Sequence, residues 1–180
     1  MDSISPLERR ENLPIKAAKM HVLVHPGYIE DVMGYNSQKL AQAQTLFEKY
    51  KRVAGSLPSN EIMIILVHNL PEKFQEDIGA DVLYTKNIKL IQTIKPKQII
   101  ILPSNAVPFS GASREDDKQA LNKIKSIAQN RGYQIGPETE VEVFGETYDE
   151  CVQEAFLGIV NTNSFNQGNV RVVEELTDKV

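Results

Sequence analysis

The sequence has few of the features that mark secreted, membrane or nucleic-acid-binding proteins. It contains one Cys and no Trp among 180 residues, so an internal disulfide is excluded and a reducing, cytoplasmic environment is expected. No apolar run approaches the roughly 20 residues that a membrane-spanning helix needs. The net charge of −4 disfavours the dense cationic surface that nucleic acids and anionic membranes require. We therefore expect neither kind of partner.

The composition that remains is that of an ordinary globular protein. Hydrophobic residues make up 41% of the chain and charged residues 24%, and the length suits one domain with a sizeable core. Residues 1–19 carry charges but lack the apolar stretch of a signal peptide. We predict a flexible N-terminal arm over residues 1–19 and a single domain over residues 20–180.

Apolar segments of strand length alternate with segments of helical period, which predicts a three-layer α/β/α sandwich with a mostly parallel, Rossmann-like sheet. The runs at 62–67 and 98–102 are uniformly apolar, as is typical of strands covered on both faces. The C-terminal tail after Glu174 is expected to fray. Strands are predicted over 20–25, 62–67, 82–84, 98–102, 141–144 and 170–173, and helices over 40–54, 71–79, 88–95, 113–131 and 147–160.

Polar residues at the helix starts fit capping signals. Ser113 with Asp116 forms a capping-box-like start, and Asn36 can cap the first helix. The carboxylates of Glu115, Asp116 and Asp117 are interpreted as first-turn charges that face water, where the helix dipole favours them. They are not interpreted as a metal or acid–base cluster.

Ligands of parallel α/β sheets bind beyond the carboxyl ends of the strands, near the switch in strand order. We therefore expect a ligand site along that edge, for a small molecule. The polar candidates that follow the predicted strands are His25, Tyr28, His68, Asn69, Ser104, Asn105 and Cys151.

Cys151 and His25 are the candidate catalytic pair. Cys151 lies in the first turn after a predicted cap at Thr147, where the helix dipole favours a thiolate. The neighbouring acidic residues oppose this, and a small buried apolar role is the alternative. His25 could act as the base or could simply bond to backbone, whereas His21 lies inside the first strand and is interpreted as structural.

Neither a metal nor a nucleotide cofactor is expected. A zinc site would combine His25, His68 and Cys151 with Glu30 or Asp31, but no close-spaced ligand pair supports it. A nucleotide site needs a Gly-rich turn between strand and helix, and no such turn is found.

The segment VEVFGETYDECVQEAF, residues 141–156, resembles the nucleophile region of isochorismatase-like cysteine hydrolases. In that family a strand ends in Gly, and six residues later a Cys-Val pair opens a helix. Gly145 and Cys151-Val152 have this spacing, and Asp149 stands where the family often has Asp. The resemblance implies a parallel three-layer sandwich and hydrolysis of amides, vinyl ethers or related small molecules.

The family's catalytic set is an Asp that ends the first strand, a Lys in the middle of the chain and the Cys. His25 stands where the Asp is expected. Two alignments place the family's Lys differently. One matches it to Lys86, and the one we favour matches it to residues 103–105, which are neutral. The leading hypothesis is a divergent or inactive cysteine hydrolase, and the alternative is a non-catalytic module that binds a small ligand or a protein. A nucleotide-binding domain is a weaker third hypothesis. A homodimer is expected separately, because the edges of such sheets often pair or are covered.

Overall fold

The computed structural model describes residues 13–28, 37–67, 97–104, 107–146 and 148–178, without the side chains of 37–39 and 148. Several predictions fall outside these ranges. They concern the candidate residues His68, Asn69 and Asn105, the caps Asn36 and Thr147, the helices over 71–79 and 88–95, and the strand over 82–84.

Strands and helices alternate along the described chain as the sequence predicts. None of the described helices is long and apolar enough to cross a membrane. The strands are β1 (Ile15–Lys16), β2 (Lys19–Val24), β3 (Glu61–Val67), β4 (Ile99–Pro103), β5 (Tyr133–Gln134), β6 (Glu140–Gly145) and β7 (Val170–Thr177). The helices are α1 (Ser37–Ser56), α2 (Arg114–Asn130) and α3 (Gln153–Asn161), and a π-helical turn (Tyr148–Val152) leads into α3.

Five strands form the main sheet in the order β4-β3-β2-β6-β7, and every neighbouring pair is parallel. The chain moves outward from β2 through β3 to β4, and then returns to the other side of β2 with β6 and β7. The order therefore reverses between β2 and β6, which makes that junction the switch point of the sheet.

The two faces of the sheet are covered by different helices. Val22 of β2 packs in one apolar cluster with Leu121 of α2 and Ile159 of α3. Leu23, its neighbour in the strand, packs in a second cluster with Tyr50 of α1. Because alternate residues of a strand point to opposite faces, the sheet lies between α1 and the α2–α3 pair, and the predicted α/β/α sandwich is confirmed.

The α2 boundaries follow the sequence signals. Ser113 caps the helix by accepting a hydrogen bond from the Asp116 N–H, and the helix ends before Arg131-Gly132. Glu115 and Asp116 face water as expected, but Asp117 is fully buried. The prediction for Asp117 was wrong because its carboxylate binds backbone N–H groups of the preceding loop instead of water.

Residues 13–19 differ from the loose arm that was expected up to residue 19. The N–H of Ile15 donates to the carbonyl of Gly132 over 2.8 Å, and that of Ala17 to the carbonyl of Gln134 over 2.9 Å. These bonds hold β1 parallel to β5, and Ala17 is buried. Lys19 already belongs to β2, so the folded unit begins before residue 20.

The end of β7 is also more ordered than the predicted fraying after Glu174. A register shift in β6–β7 pairing lets Thr177 lie opposite Gly145, and the N–H of Asp178 donates to the Gly145 carbonyl over 3.0 Å. The shift brings Leu176 onto the apolar cluster under α1. The sequence predicts only the first half of this strand, because two consecutive Glu residues interrupt the apolar alternation after Val173.

His21 is structural, as its place inside a strand indicates. Its ring lies between two carboxylates, with Nε2 2.8 Å from Glu61 Oε2 and Nδ1 3.2 Å from Glu142 Oε2. Lys19 and Arg171 also contact Glu142. This ionic cluster lies at the amino-terminal edge of the sheet, opposite to the carboxyl edge where a ligand site is expected.

Candidate functional site

His25 lies at the switch point, directly after β2, in a strained conformation. Its φ of 47° falls in the left-handed region, which costs a non-glycine residue about 1–2 kcal/mol. The alternation of β2 would place residue 25 on the α1 face with Leu23, whereas His25 is among the residues that line a cavity with Ala155 on the α3 side. The left-handed turn therefore interrupts the alternation of β2 at a residue that borders the cavity.

Glu146 holds this turn from the neighbouring strand. Its N–H donates to the carbonyl of Val24 over 3.0 Å, and its Oε1 accepts from the N–H of Gly27 over 2.7 Å. Glu146 thus binds the chain on both sides of His25, and its own side chain is fully buried. Sequence reasoning missed this residue as a part of the site, because its reach across to the next strand is a tertiary relationship.

Gly145 allows the ends of β2 and β6 to approach closely. Its φ of 143° lies in a region that side chains rarely adopt, and a Cβ at this position would lie 2.0 Å from the Val24 carbonyl oxygen. The glycine that carries the family resemblance therefore has a packing role here.

The carboxyl ends of the strands enclose a cavity of about 280 Å³. Three of the predicted site residues, His25, Ser104 and Cys151, line it together. This volume lies just below the roughly 300–1,000 Å³ of sites for drug-sized ligands, so the cavity suits a small molecule. The other lining residues are Val24, Leu66, Val107, Pro108, Phe109, Glu154 and Ala155.

Cys151 enters the cavity from the π-helical turn, with Tyr28 close by. Cys151 is partly exposed and forms no disulfide. Burial, followed by the negative charges of Cys151 and Glu150, raises the pKa of Tyr28. A tyrosine hydroxyl is protonated at neutral pH in any case, and the raised pKa extends this to more alkaline solution, so Tyr28 remains a hydrogen-bond donor.

Asp117 fastens two walls of the cavity to each other. Its Oδ1 accepts from the N–H of Ser110 over 2.9 Å and of Gly111 over 3.3 Å, in the loop that follows the lining residue Phe109. Its Oδ2 accepts from the side-chain amide of Asn161, at the end of α3, over 2.9 Å. The loop wall and the helix that follows Cys151 are therefore tied to one buried carboxylate.

A larger groove of about 540 Å³ lies between α3 and β7. Its described lining is apolar or amide-bearing and includes Phe156, Val160 and Asn166, without a thiol, an imidazole or a carboxylate. The smaller cavity is therefore the better candidate for chemistry. Within the described ranges, no group of three or more His, Cys, Asp or Glu side chains could hold a metal ion.

Comparison of the chain with protein-family models, with curated proteins and with solved structures gave no match.

Proposed function

We propose that the chain is a hydrolase of a small acyl compound, of the isochorismatase-like type, with a Cys151–His25 pair in place of the family's Asp, Lys and Cys. The observation that carries the proposal is that both residues line one small cavity at the switch point. The strained backbone of His25 is a second support, because such strain concentrates at functional sites.

The chemistry follows from the two groups. His25 accepts the thiol proton of Cys151, and the thiolate adds to the carbonyl carbon of the substrate. The tetrahedral adduct then expels the leaving amine or alcohol, which takes the proton from His25. Water, activated by the same imidazole, hydrolyses the thioester and restores the thiol. Cys151 and His25 must come within hydrogen-bond reach, about 2.6–3.2 Å or through one water, for the first proton transfer.

Alkylation of Cys151 with iodoacetamide tests the pair, because the chain has one Cys. We expect the folded protein to react at pH 7 at least about tenfold faster than the urea-unfolded chain, and His25→Asn to abolish the difference. Asn tolerates the left-handed backbone better than Ala does, so this variant removes the base with little added strain. His21→Asn is the matched control, since its imidazole lies in the ionic cluster at the other edge.

A reaction rate no faster than that of the unfolded chain would refute the nucleophile role. It would favour the second candidate, a binding module without catalysis. The observation behind this alternative is the acidic surroundings of the thiol, with Glu154 in the cavity lining and the Glu150 charge near Tyr28, which favour the neutral thiol. Binding of small-molecule fragments in the cavity, with an affinity that His25→Asn leaves unchanged, would then support a binding module without catalysis.

We also propose that the chain forms a homodimer and acts in the cytoplasm. β7 is an outer strand of the described sheet, and edge strands tend to pair or to be covered. Light scattering should give twice the mass of one chain, and a monomer at all concentrations would contradict the dimer. The thiol chemistry requires a reducing compartment.

A further inference from the structure

The described lining of the cavity carries an acidic side chain but no basic one. Among its described lining residues there is one carboxylate, Glu154, and no Lys or Arg. Glu150 is close enough to raise the pKa of Tyr28, and the buried carboxylate of Glu146 lies behind the His25 turn. A cleft with low-dielectric walls concentrates such a field, so we expect cations to be favoured over anions in the cavity.

Glu154 is placed to act on a bound molecule. It follows Cys151 by three positions, where the π-helical turn passes into α3, and both residues line the cavity. A cationic group bound to the Glu154 carboxylate would therefore lie only a few bonds from a carbonyl carbon held at the Cys151 sulfur.

The remaining surface fits a short hydrocarbon part. Leu66, Val107 and Phe109 line the cavity and belong to the buried apolar core. Burying apolar area contributes about 25 cal/mol per Å², while the volume of about 280 Å³ limits the size of the molecule.

We propose that the substrate is a small acyl compound that carries an ammonium group a few bonds from its carbonyl carbon, with Glu154 as the residue that selects the positive charge. This inference rests on the proposed function of the same cavity. It goes further by naming the charge of the substrate and the side chain that reads it.

Thiol reagents that differ only in charge test the inference without a known substrate. 2-(Trimethylammonium)ethyl and 2-sulfonatoethyl methanethiosulfonate both transfer their alkylthio group to a thiolate, forming a disulfide and releasing methanesulfinate. With rates normalised to the unfolded chain, we expect Cys151 to prefer the cationic reagent by at least about fivefold. Glu154→Gln should lower that preference at least about threefold, and the exposed Glu115→Gln should leave it unchanged.

Two outcomes separate this inference from the proposed function. Cys151 could react fast with neutral methyl methanethiosulfonate but show no preference between the charged reagents, or show a preference that Glu154→Gln does not change. Either result would overturn the inference and would leave the proposed Cys151–His25 pair in place. Slow reaction with the neutral reagent, equal to that of the unfolded chain, would overturn the proposed function itself. Because Glu154 is exposed, its substitution should not prevent folding.

Discussion

The backbone N–H of Gly27 donates a 2.7 Å hydrogen bond to the carboxylate of Glu146. This bond joins the turn after β2 to the turn after β6, across the point where the strand order reverses. Together with the bond from the Glu146 N–H to Val24, it supports the left-handed conformation of His25 from both sides.

Replacing Glu146 by Ala should therefore destabilise the protein by about 1–3 kcal/mol, because the buried N–H of Gly27 loses its acceptor. Glu146→Gln keeps an acceptor oxygen and should retain most of the stability. Urea unfolding followed by circular dichroism measures both variants. Equal losses in the two would show that the carboxylate charge, and not the hydrogen bond, supports the turn.

Gly145→Ala should be among the most destabilising single substitutions in the chain, at more than about 4 kcal/mol, or should prevent folding. The added Cβ would meet the Val24 carbonyl oxygen at 2.0 Å, and backbone cannot give way as a side chain can. Gly168→Ala is the matched control, since Gly168 also has a positive φ of 86° but has no atom within 4 Å of the added Cβ. We expect this control to lose only about 1–2 kcal/mol, from backbone strain. Similar losses in the two variants would rule out the close approach as the cause.

Asp117→Ala should destabilise the protein by about 1–3 kcal/mol and also change the cavity. It removes the acceptor of the Ser110 and Gly111 N–H groups, so the wall near Phe109 is no longer fastened. Hydrogen exchange of these two amides should increase relative to the wild type. Asp116→Ala, one position earlier and exposed, should change stability by less than about 1 kcal/mol. Unchanged exchange in Asp117→Ala would contradict the role of the carboxylate.

Stability should fall in acid partly through Glu142. Burial alone would raise its pKa, but hydrogen bonds from Arg171 and Lys19 outweigh burial and hold the pKa below its usual range. A depressed folded-state pKa stabilises the protein above the unfolded value of about 4.3, and this contribution is lost as the pH falls through the folded value. Arg171→Gln should therefore flatten the fall in the free energy of unfolding between about pH 5 and pH 3.

The loss from Arg171→Gln at neutral pH should stay below about 1 kcal/mol, because the Arg171 side chain is 64% exposed and water screens the pair. Arg52→Gln makes the same charge change at an exposed position of α1 and should leave the acid slope unchanged. If Arg52→Gln flattened the acid-induced fall in the free energy of unfolding equally, the effect would come from net charge and not from the contact of Arg171 with Glu142.

The layers of the fold were predictable from the sequence, because the runs at β3 and β4 are apolar on both faces and the helices between described strands carry a periodic stripe. The position of His25 beside Cys151 was predictable to the level of one sheet edge. The left-handed backbone of His25 was not, because it depends on hydrogen bonds that Glu146 makes from the neighbouring strand. Neither the reach of Glu146 nor the burial of Asp117 follows from local spacing, because each depends on a backbone donor brought in by tertiary packing.

The bond between Gly27 and Glu146 spans 119 residues of sequence, whereas the contact of His21 with Glu61 on the other side of β2 spans 40. Closing the longer loop costs more chain entropy, and contacts this distant in sequence slow folding. A partly folded chain in which β2 has paired with β3 but not with β6 has the central strand in place, yet it has no cavity. The site therefore forms only after the most distant pairing that β2 makes in the described sheet, so its appearance during refolding shows that this pairing is complete.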